Sequence, residues 1–177
     1  MSRQIKKKAM IKTKRLTLRP YSEQDIEMLM NIFTTPEVTS TFMVPEMESR
    51  SCLKELVERL ISFSQLEDDK HLEYGIYLGG QMIGFVNDCG VDGDEIEIGY
   101  VVHPRYQGHG YATEAVRAVI GELREMGFRK IVAGYFSENT ASFRVMEKCG
   151  MQQLDRTEVE EYRGEKHICR YCELCFF

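Results

Sequence analysis

Apolar and polar residues alternate strictly from Arg15 through Leu16, Thr17 and Leu18 to Arg19. That is the period of a strand with one buried face, and Pro20 ends it by withholding a ladder donor. Ser22 stands ahead of Glu23 and Asp25, charges that favour a helix start, and Ile26, Leu29, Met30 and Phe33 follow at helical spacing. Thr34, Thr35 and Pro36 close that helix. Residues 39–48 have little periodicity and contain Pro45, so they are expected to form a loop bordering a cleft. Leu53, Leu56, Val57, Leu60 and Ile61 then mark a second amphipathic helix.

From Glu73 the period changes. Tyr74 to Leu78, the turn pair Gly79 and Gly80, and Met82 to Val86 read as a hairpin, and a turn at Asp92 and Gly93 leads into a strand from Glu95 to Val102. After Pro104 a glycine-rich turn precedes a helix beginning at Tyr111, with Ala112, Ala115, Val116, Val119, Ile120 and Leu123 on its buried face and Gly127 at its end. A strand over 130–136, a short helix over 141–149 stopped by Gly150, and a last hairpin turning at Arg163 and Gly164 complete the chain. The order β-α-α-β-β-β-α-β-α-β-β has seven strands and four helices, an α+β architecture. Residues 1–177 read as one domain with a flexible start over 1–10.

Composition changes this picture only at its edges. With 177 residues, 43% hydrophobic and 29% charged, the chain can bury a core without metal or disulfide help. A net charge of −5 argues against a general grip on the phosphate backbone of nucleic acid. No segment has the roughly 20 apolar residues of a membrane span, and Lys6, Lys7 and Lys8 lack the apolar core of a signal peptide behind them. The expectation is a cytoplasmic protein, monomeric or homodimeric, with no nucleic-acid or membrane partner. Its six cysteines (Cys52, Cys89, Cys149, Cys169, Cys172 and Cys175) are read as thiols.

The segment Gln107-Gly108-His109-Gly110-Tyr111-Ala112 lies between a strand and a helix. Glycines there let a ligand approach the backbone, and the N–H groups of a helix start favour an anion such as a pyrophosphate. The dinucleotide fingerprint fails because its third glycine falls on Thr113, and the phosphate-loop pattern fails because no Gly-Lys-Ser/Thr is present. A side chain at Gly110 is expected to intrude on the approaching anion.

The turn resembles the acetyl-CoA signature Arg/Gln-x-x-Gly-x-Gly/Ala of the GCN5-related N-acetyltransferases, with Gln107, Gly110 and Ala112 at the marked positions. The likeness runs through Thr13-Lys14-Arg15-Leu16-Thr17-Leu18-Arg19-Pro20, the strand Glu97-Ile98-Gly99-Tyr100-Val101-Val102, and Asn139-Thr140-Ala141-Ser142 leading into Glu147-Lys148-Cys149-Gly150-Met151. The first block and the Asn-x-x-Ser spacing look most like the branch that includes the Rim-type ribosomal-protein N-terminal acetyltransferases. The resemblance implies a mixed, mostly antiparallel sheet whose fourth and fifth strands splay apart. It implies acetyl-CoA as donor, with Gln107, Gly108, His109, Gly110, Tyr111, Ala112 and Thr113 at the pyrophosphate, Val101 and Val102 along the pantetheine arm, and Asn139 on the far side of the splay. Arg105, His109 and Arg144 are candidates for the nucleotide phosphates.

Acetyl transfer to an amine needs a proton acceptor, an oxyanion donor and a proton for the leaving thiolate. Glu97 is the first candidate base. It alternates with Gly99 and Val101 on the face opposite Ile96, Ile98 and Tyr100, and Glu95 shares its face as second choice. A strand N–H near Val101 or Val102 would serve the oxyanion. Family members often carry a tyrosine seven residues after the asparagine; here that position is Met146, which leaves Ser142 as the hydroxyl near the sulfur. The acceptor is a primary amine, open among a protein N-terminus, a polyamine, an amino acid and an aminoglycoside, attacking directly in a ternary complex. Its cleft is expected between the 39–48 loop, the first two helices and the final hairpin near Tyr162 and Arg163. A non-catalytic acyl-CoA sensor or interaction module is the alternative. The run Cys169, Cys172, Cys175 with His167 or Cys149 is the remaining metal or redox candidate, but alternation along a strand turns Cys172 away from the other two, and no metal is expected.

Overall fold

The structure, a computed structural model, describes residues 5–66 and 71–177. Eight strands form one sheet in the order β1-β2-β3-β4-β5-β6-β8-β7. They are β1 (Ile11–Lys12), β2 (Leu16–Arg19), β3 (Glu73–Leu78), β4 (Gln81–Asp92), β5 (Glu95–Val102), β6 (Lys130–Phe136), β7 (Gln152–Tyr162) and β8 (Glu165–Cys175). Every neighbouring pair is antiparallel except β5 and β6. The helices are α1 (Ile26–Thr34), α2 (Pro36–Thr39), α3 (Arg50–Gln65), α4 (Tyr111–Glu125) and α5 (Thr140–Lys148).

Two elements exceed the sequence expectation. β1 is two residues long, too short to display alternation, and forms because Ile11 meets Leu18 across the β2 edge. Pro36 begins α2 instead of ending α1: its fixed φ suits the first helical position, where no N–H is required. The expected loop 39–48 therefore starts one residue later, since Thr39 belongs to α2. Residues 1–4 of the expected flexible start lie outside the described residues; beyond them Ile5 is 2% exposed and the Lys8 carbonyl accepts from the Tyr74 hydroxyl, while Lys6, Lys8, Ala9 and Met10 are exposed.

The sheet divides the core. On one face α4 buries Ala115, Val116, Val119 and Leu123 against Ile76, Ile96, Ile98 and Ile131. Each large aliphatic side chain so buried contributes about 1.5–3 kcal/mol. On the other face α1 and α3 pack Leu29, Ile32, Phe33, Leu53 and Val57 against Tyr77, Phe85 and Val101. Ser49 caps α3 by accepting from the Cys52 N–H (3.2 Å).

The feature that positions the site is the partial pairing of β5 with β6. Their parallel ladder runs only over Glu95, Ile96 and Glu97, against Lys130, Ile131 and Val132. Beyond Glu97, β5 keeps β4 on one side through Val102, while β6 continues beside β8 alone. These are the fourth and fifth strands of the sequence reading, and their divergence leaves an open strand edge over 98–102.

Candidate active site

A cleft of about 610 Å³ occupies the divergence, and its lining reaches from the glycine turn to the final hairpin. The turn begins with residues 104–106 in a short 3-10 helix. Gly108 (φ +78°) and Gly110 (φ +80°) then adopt the left-handed conformation that side chains resist, and Gly110 is the N-cap of α4. A Cβ on Gly108 would meet nothing within 4 Å, whereas one on Gly110 would lie 3.5 Å from Arg15 Nη2. A side chain at Gly110 would thus meet the Arg15 guanidinium at an ordinary contact distance, and the left-handed backbone is the demand that the fold itself places on this position.

Arg15 braces this turn. Its Nε donates to Glu114 (2.7 Å), its Nη1 donates to the His109 carbonyl (2.9 Å), and its guanidinium lies 4.6 Å from the Tyr111 ring centre. Although burial opposes it, hydrogen bonds from Thr13 and Arg15 hold the Glu114 carboxyl below the usual carboxylate range. A residue from the β1–β2 connection thus fixes a loop some 94 positions later in the chain.

Gln107, Gly108, Gly110, Tyr111, Ala112 and Thr113 line the cleft. The Gln107 side chain is committed locally, because Nε2 donates to the Val102 carbonyl (2.8 Å). His109 departs from expectation: it is absent from the lining, its Nδ1 lies 2.8 Å from the Gln107 carbonyl, and it stacks on Tyr111. Of the proposed phosphate contacts, Arg144 lines the cleft together with Lys148, while Arg105 lines a separate hollow beside Arg19 and Asn31.

The open edge has a definite register. The His103 N–H bonds to the Ile83 carbonyl (2.8 Å), so odd-numbered residues of β5 face β4 and the amides of Ile98, Tyr100 and Val102 face the divergence. Val101 contributes its side chain to the lining but turns its carbonyl toward Gly84, where an added Cβ would come within 2.1 Å of it. An oxyanion donor on this edge is therefore the N–H of an even-numbered residue.

Across the divergence Asn139 and Ser142 both line the cleft. Asn139 Oδ1 accepts from the Ser142 N–H (3.1 Å), capping α5. The Ser142 hydroxyl lies 2.8 Å from the hydroxyl of Tyr100, which also donates to the Ser142 carbonyl at the same distance. Burial pushes the Tyr100 phenol well above its ordinary value, so it stays protonated. Sequence reasoning missed Tyr100 because alternation assigns it to the core face with Ile96 and Ile98; only the arrival of α5 gives its hydroxyl a partner. Met146 is 1% exposed in the core and supplies nothing to the site.

Glu97 lines the cleft where β5 and β6 part, and Glu95 does not: it pairs with Lys130 (3.0 Å) at the far end of the strand. Burial raises the Glu97 carboxyl above the usual range, Arg156 opposes this, and Glu158 and Glu95 add to it. The space beside Glu97 is kept by Gly134, whose absent Cβ would lie 3.4 Å from Glu97 Oε1.

The expected acceptor walls are modified in one respect. Thr41, Phe42 and Met43 from the loop and Glu160, Cys169 and Tyr171 from the final hairpin line the cleft, but the helix that does so is α2, through Glu37 and Val38, and not α1 or α3. Tyr162 and Arg163 tie the two walls together. The Tyr162 hydroxyl accepts from the Val44 N–H (3.2 Å) and donates to the Phe42 carbonyl (3.3 Å), and Arg163 Nη1 donates to Thr39 Oγ1 (3.1 Å).

The C-terminal cysteines do not converge. Cys169 faces the cleft, Cys172 is fully buried in the α4 core, and all six cysteines are free thiols. His167 is committed to Glu138 and stacks on Phe136.

Comparison with known proteins agrees with this architecture. Residues 15–152 match the family model described as an acetyltransferase (GNAT) domain. The chain is 28% identical over 149 residues to an uncharacterized N-acetyltransferase, YoaA, of Bacillus subtilis, covering 81% of this chain and 82% of that one. A GNAT-family acetyltransferase from Bacillus anthracis superposes with a TM-score of 0.79 at 25% identity, over 94% of this chain and 98% of the other. RimL, a ribosomal-protein alpha-N acetyltransferase solved in complex with coenzyme A, gives 0.78 at 18% identity, over 94% and 97%. The strand divergence, the glycine turn at its mouth and the match over most of the chain make this protein a member of the GNAT acetyltransferase family.

Proposed function

We propose that this chain is an acetyl-CoA-dependent N-acetyltransferase that moves an acetyl group to a primary amine by direct attack in a ternary complex. The observation that carries the reading is the open β5 edge over 98–102, which ends at a turn with two left-handed glycines. An edge with free amides suits the pantetheine arm as a further strand would, and outward N–H groups at the start of α4 suit a diphosphate. Gly108, Gly110 and Thr113 would hold the diphosphate, Val102 and Tyr100 the arm through their backbone, and Arg144 and Lys148 the nucleotide phosphates. CoA supplies the activated acetyl as a thioester.

The protein's residues do the rest. Glu97, held by burial at a raised pKa, accepts the proton of the amine directly or through water. An even-numbered amide of β5 stabilises the oxyanion. Ser142 offers its hydroxyl to the departing thiolate, and Tyr100, hydrogen-bonded behind it, orients that hydroxyl. The free thiols suit a reducing, cytoplasmic setting.

Calorimetric titration with acetyl-CoA, followed by a thiol assay for CoA release across a panel of primary amines, tests the proposal. Binding with amine-dependent release is expected. Binding with no release from any amine would make the protein a sensor, and no binding would remove the cofactor from the cleft.

A further inference from the structure

His103 stands between the end of β5 and the glycine turn, and it is only 7% exposed. Its N–H bonds back to the Ile83 carbonyl of β4, and its own carbonyl accepts from the Tyr106 N–H (2.8 Å). The side chain is used at both nitrogens. Nδ1 accepts from the Arg105 N–H (3.2 Å), capping the 3-10 helix over 104–106. A nitrogen that accepts carries no proton, so the proton sits on Nε2 and is donated to Asn31 Oδ1 of α1 (2.8 Å). Burial lowers the His103 pKa, Arg105 adds to this and Glu37 opposes it, which favours the neutral ring that both bonds require.

A helix cap needs less than this. Asp, Asn or Ser at an N-cap satisfies the same N–H with a shorter side chain. The imidazole adds reach: through it the turn is tied to α1, whose Leu29, Met30, Ile32 and Phe33 are buried. From the other side Arg15 holds the same turn by the His109 carbonyl. Two elements distant in sequence therefore fix the turn, α1 ahead of it and the β1–β2 connection behind it.

His103 is absent from the cleft lining, whereas Val102, Tyr106 and Gln107 on either side of it belong to the lining. Any part it has in binding runs through these neighbours. Gln107 returns its side chain to the Val102 carbonyl, so the residues around His103 form one short bend of the main chain. That bend sets how far the open edge over 98–102 stands from the left-handed glycines at 108 and 110. A donor with a fixed number of bonds between its arm and its diphosphate needs that distance held. Resting on the acetyl-CoA reading, we propose that His103 is a positioning residue for the donor: bonded to Asn31 and to the Arg105 N–H, its ring sets the span between the pantetheine edge and the diphosphate turn. A donor that uses only the edge is indifferent to this span.

The test uses two donors, acetyl-CoA and S-acetylpantetheine, which keeps the thioester and the arm but lacks the diphosphate, with the best amine of the panel as acceptor. In His103→Leu, which loses both side-chain bonds, the calorimetric Kd of acetyl-CoA should rise about tenfold, while kcat at saturating donor stays within about twofold. KM for S-acetylpantetheine should match the parent's. Asn31→Ala removes only the tie to α1, from an exposed position, so it should melt with the parent and weaken acetyl-CoA about threefold. His103→Asn, which keeps the cap alone, should resemble it. An unchanged acetyl-CoA Kd in His103→Leu, or in Asn31→Ala if the leucine variant is unfolded, would overturn the inference. An equal rise in KM for both donors would overturn it too, as the mark of a general loosening. A parent that binds no acetyl-CoA, or releases CoA with no amine, would instead overturn the reading on which it rests.

Discussion

The two ends of the cleft are built by different means. At the end proposed for the cofactor the main chain forms the surface: the unpaired amides of β5, two left-handed glycines and the first turn of α4, all within residues 98–113. At the end proposed for the acceptor, side chains do it. Glu37, Phe42, Glu97, Glu160 and Tyr171 come from five segments; the sheet joins the strands among them, and Tyr162 and Arg163 fasten the hairpin to the loop and to α2. A backbone site tolerates exchange of neighbouring side chains but not of its glycines, whereas a side-chain site can change specificity one residue at a time.

The largest effect that separates the ends is expected at Gly84. A Cβ there would overlap the Val101 carbonyl at 2.1 Å, so Gly84→Ala must push β4 and β5 apart and displace the open edge. A loss on the order of 3 kcal/mol is expected, which lowers the melting temperature by roughly 6 to 12 °C. A thermal melt that matched the parent would show that the two strands have slack.

Next come the turn glycines. Aspartate tolerates the left-handed conformation better than most residues, and at Gly108 it would stand in open space beside the cleft. Gly108→Asp should weaken acetyl-CoA binding about a hundredfold, from the loss of two charge-assisted contacts. Gly110→Asp should cost less, because its carboxylate is drawn to Arg15. Calorimetry of the two variants side by side checks this order, and its reversal would move the anion to the Arg15 side of the turn.

At the acceptor end Glu97→Gln should lower turnover by at least about tenfold, as expected for loss of a general base. Its effect depends on pH in a stated direction. Protonated Glu97 cannot accept a proton, so parental turnover should fall as pH drops through its raised pKa, and the glutamine variant should lack that limb. Identical pH–rate profiles would return Glu97 to a purely packing role.

The smallest effect is expected where the two ends meet. Tyr100→Phe removes only the hydroxyl that orients Ser142 and should reduce kcat by about two- to fivefold, with the affinity for acetyl-CoA retained. Ser142→Ala should have a similar effect, and the double variant should be little worse than either single one if the two hydroxyls act as a unit. Additive losses would separate their roles.

How much of this could be read from the chain follows the same division. The glycine turn was legible because positive φ and a helix start are local demands that leave a mark at fixed spacing. The parity of Glu97, Gly99 and Val101 was legible because a strand alternates. Pro36 was misread, since a proline that ends one helix and one that begins the next look alike without the neighbours that decide which turn forms. Tyr100 was hidden for a related reason. Its alternation with Ile96 and Ile98 describes where its ring goes, and says nothing of the helix that later brings Ser142 within 2.8 Å of its hydroxyl.

By itself the sequence determined the order of strands and helices apart from β1 and α2, the faces that the longer elements bury, the glycine turn ahead of α4 and the family to which these belong. Each is an interaction among residues a few positions apart, or an averaged pattern that tolerates error at single sites. The tertiary structure alone decided where β6 leaves β5, that Arg15 braces a turn 94 residues away, and that carboxylates at 37, 97 and 160 share one cleft. Such juxtapositions depend on how the sheet bends and which loops touch, and no spacing along the chain encodes them.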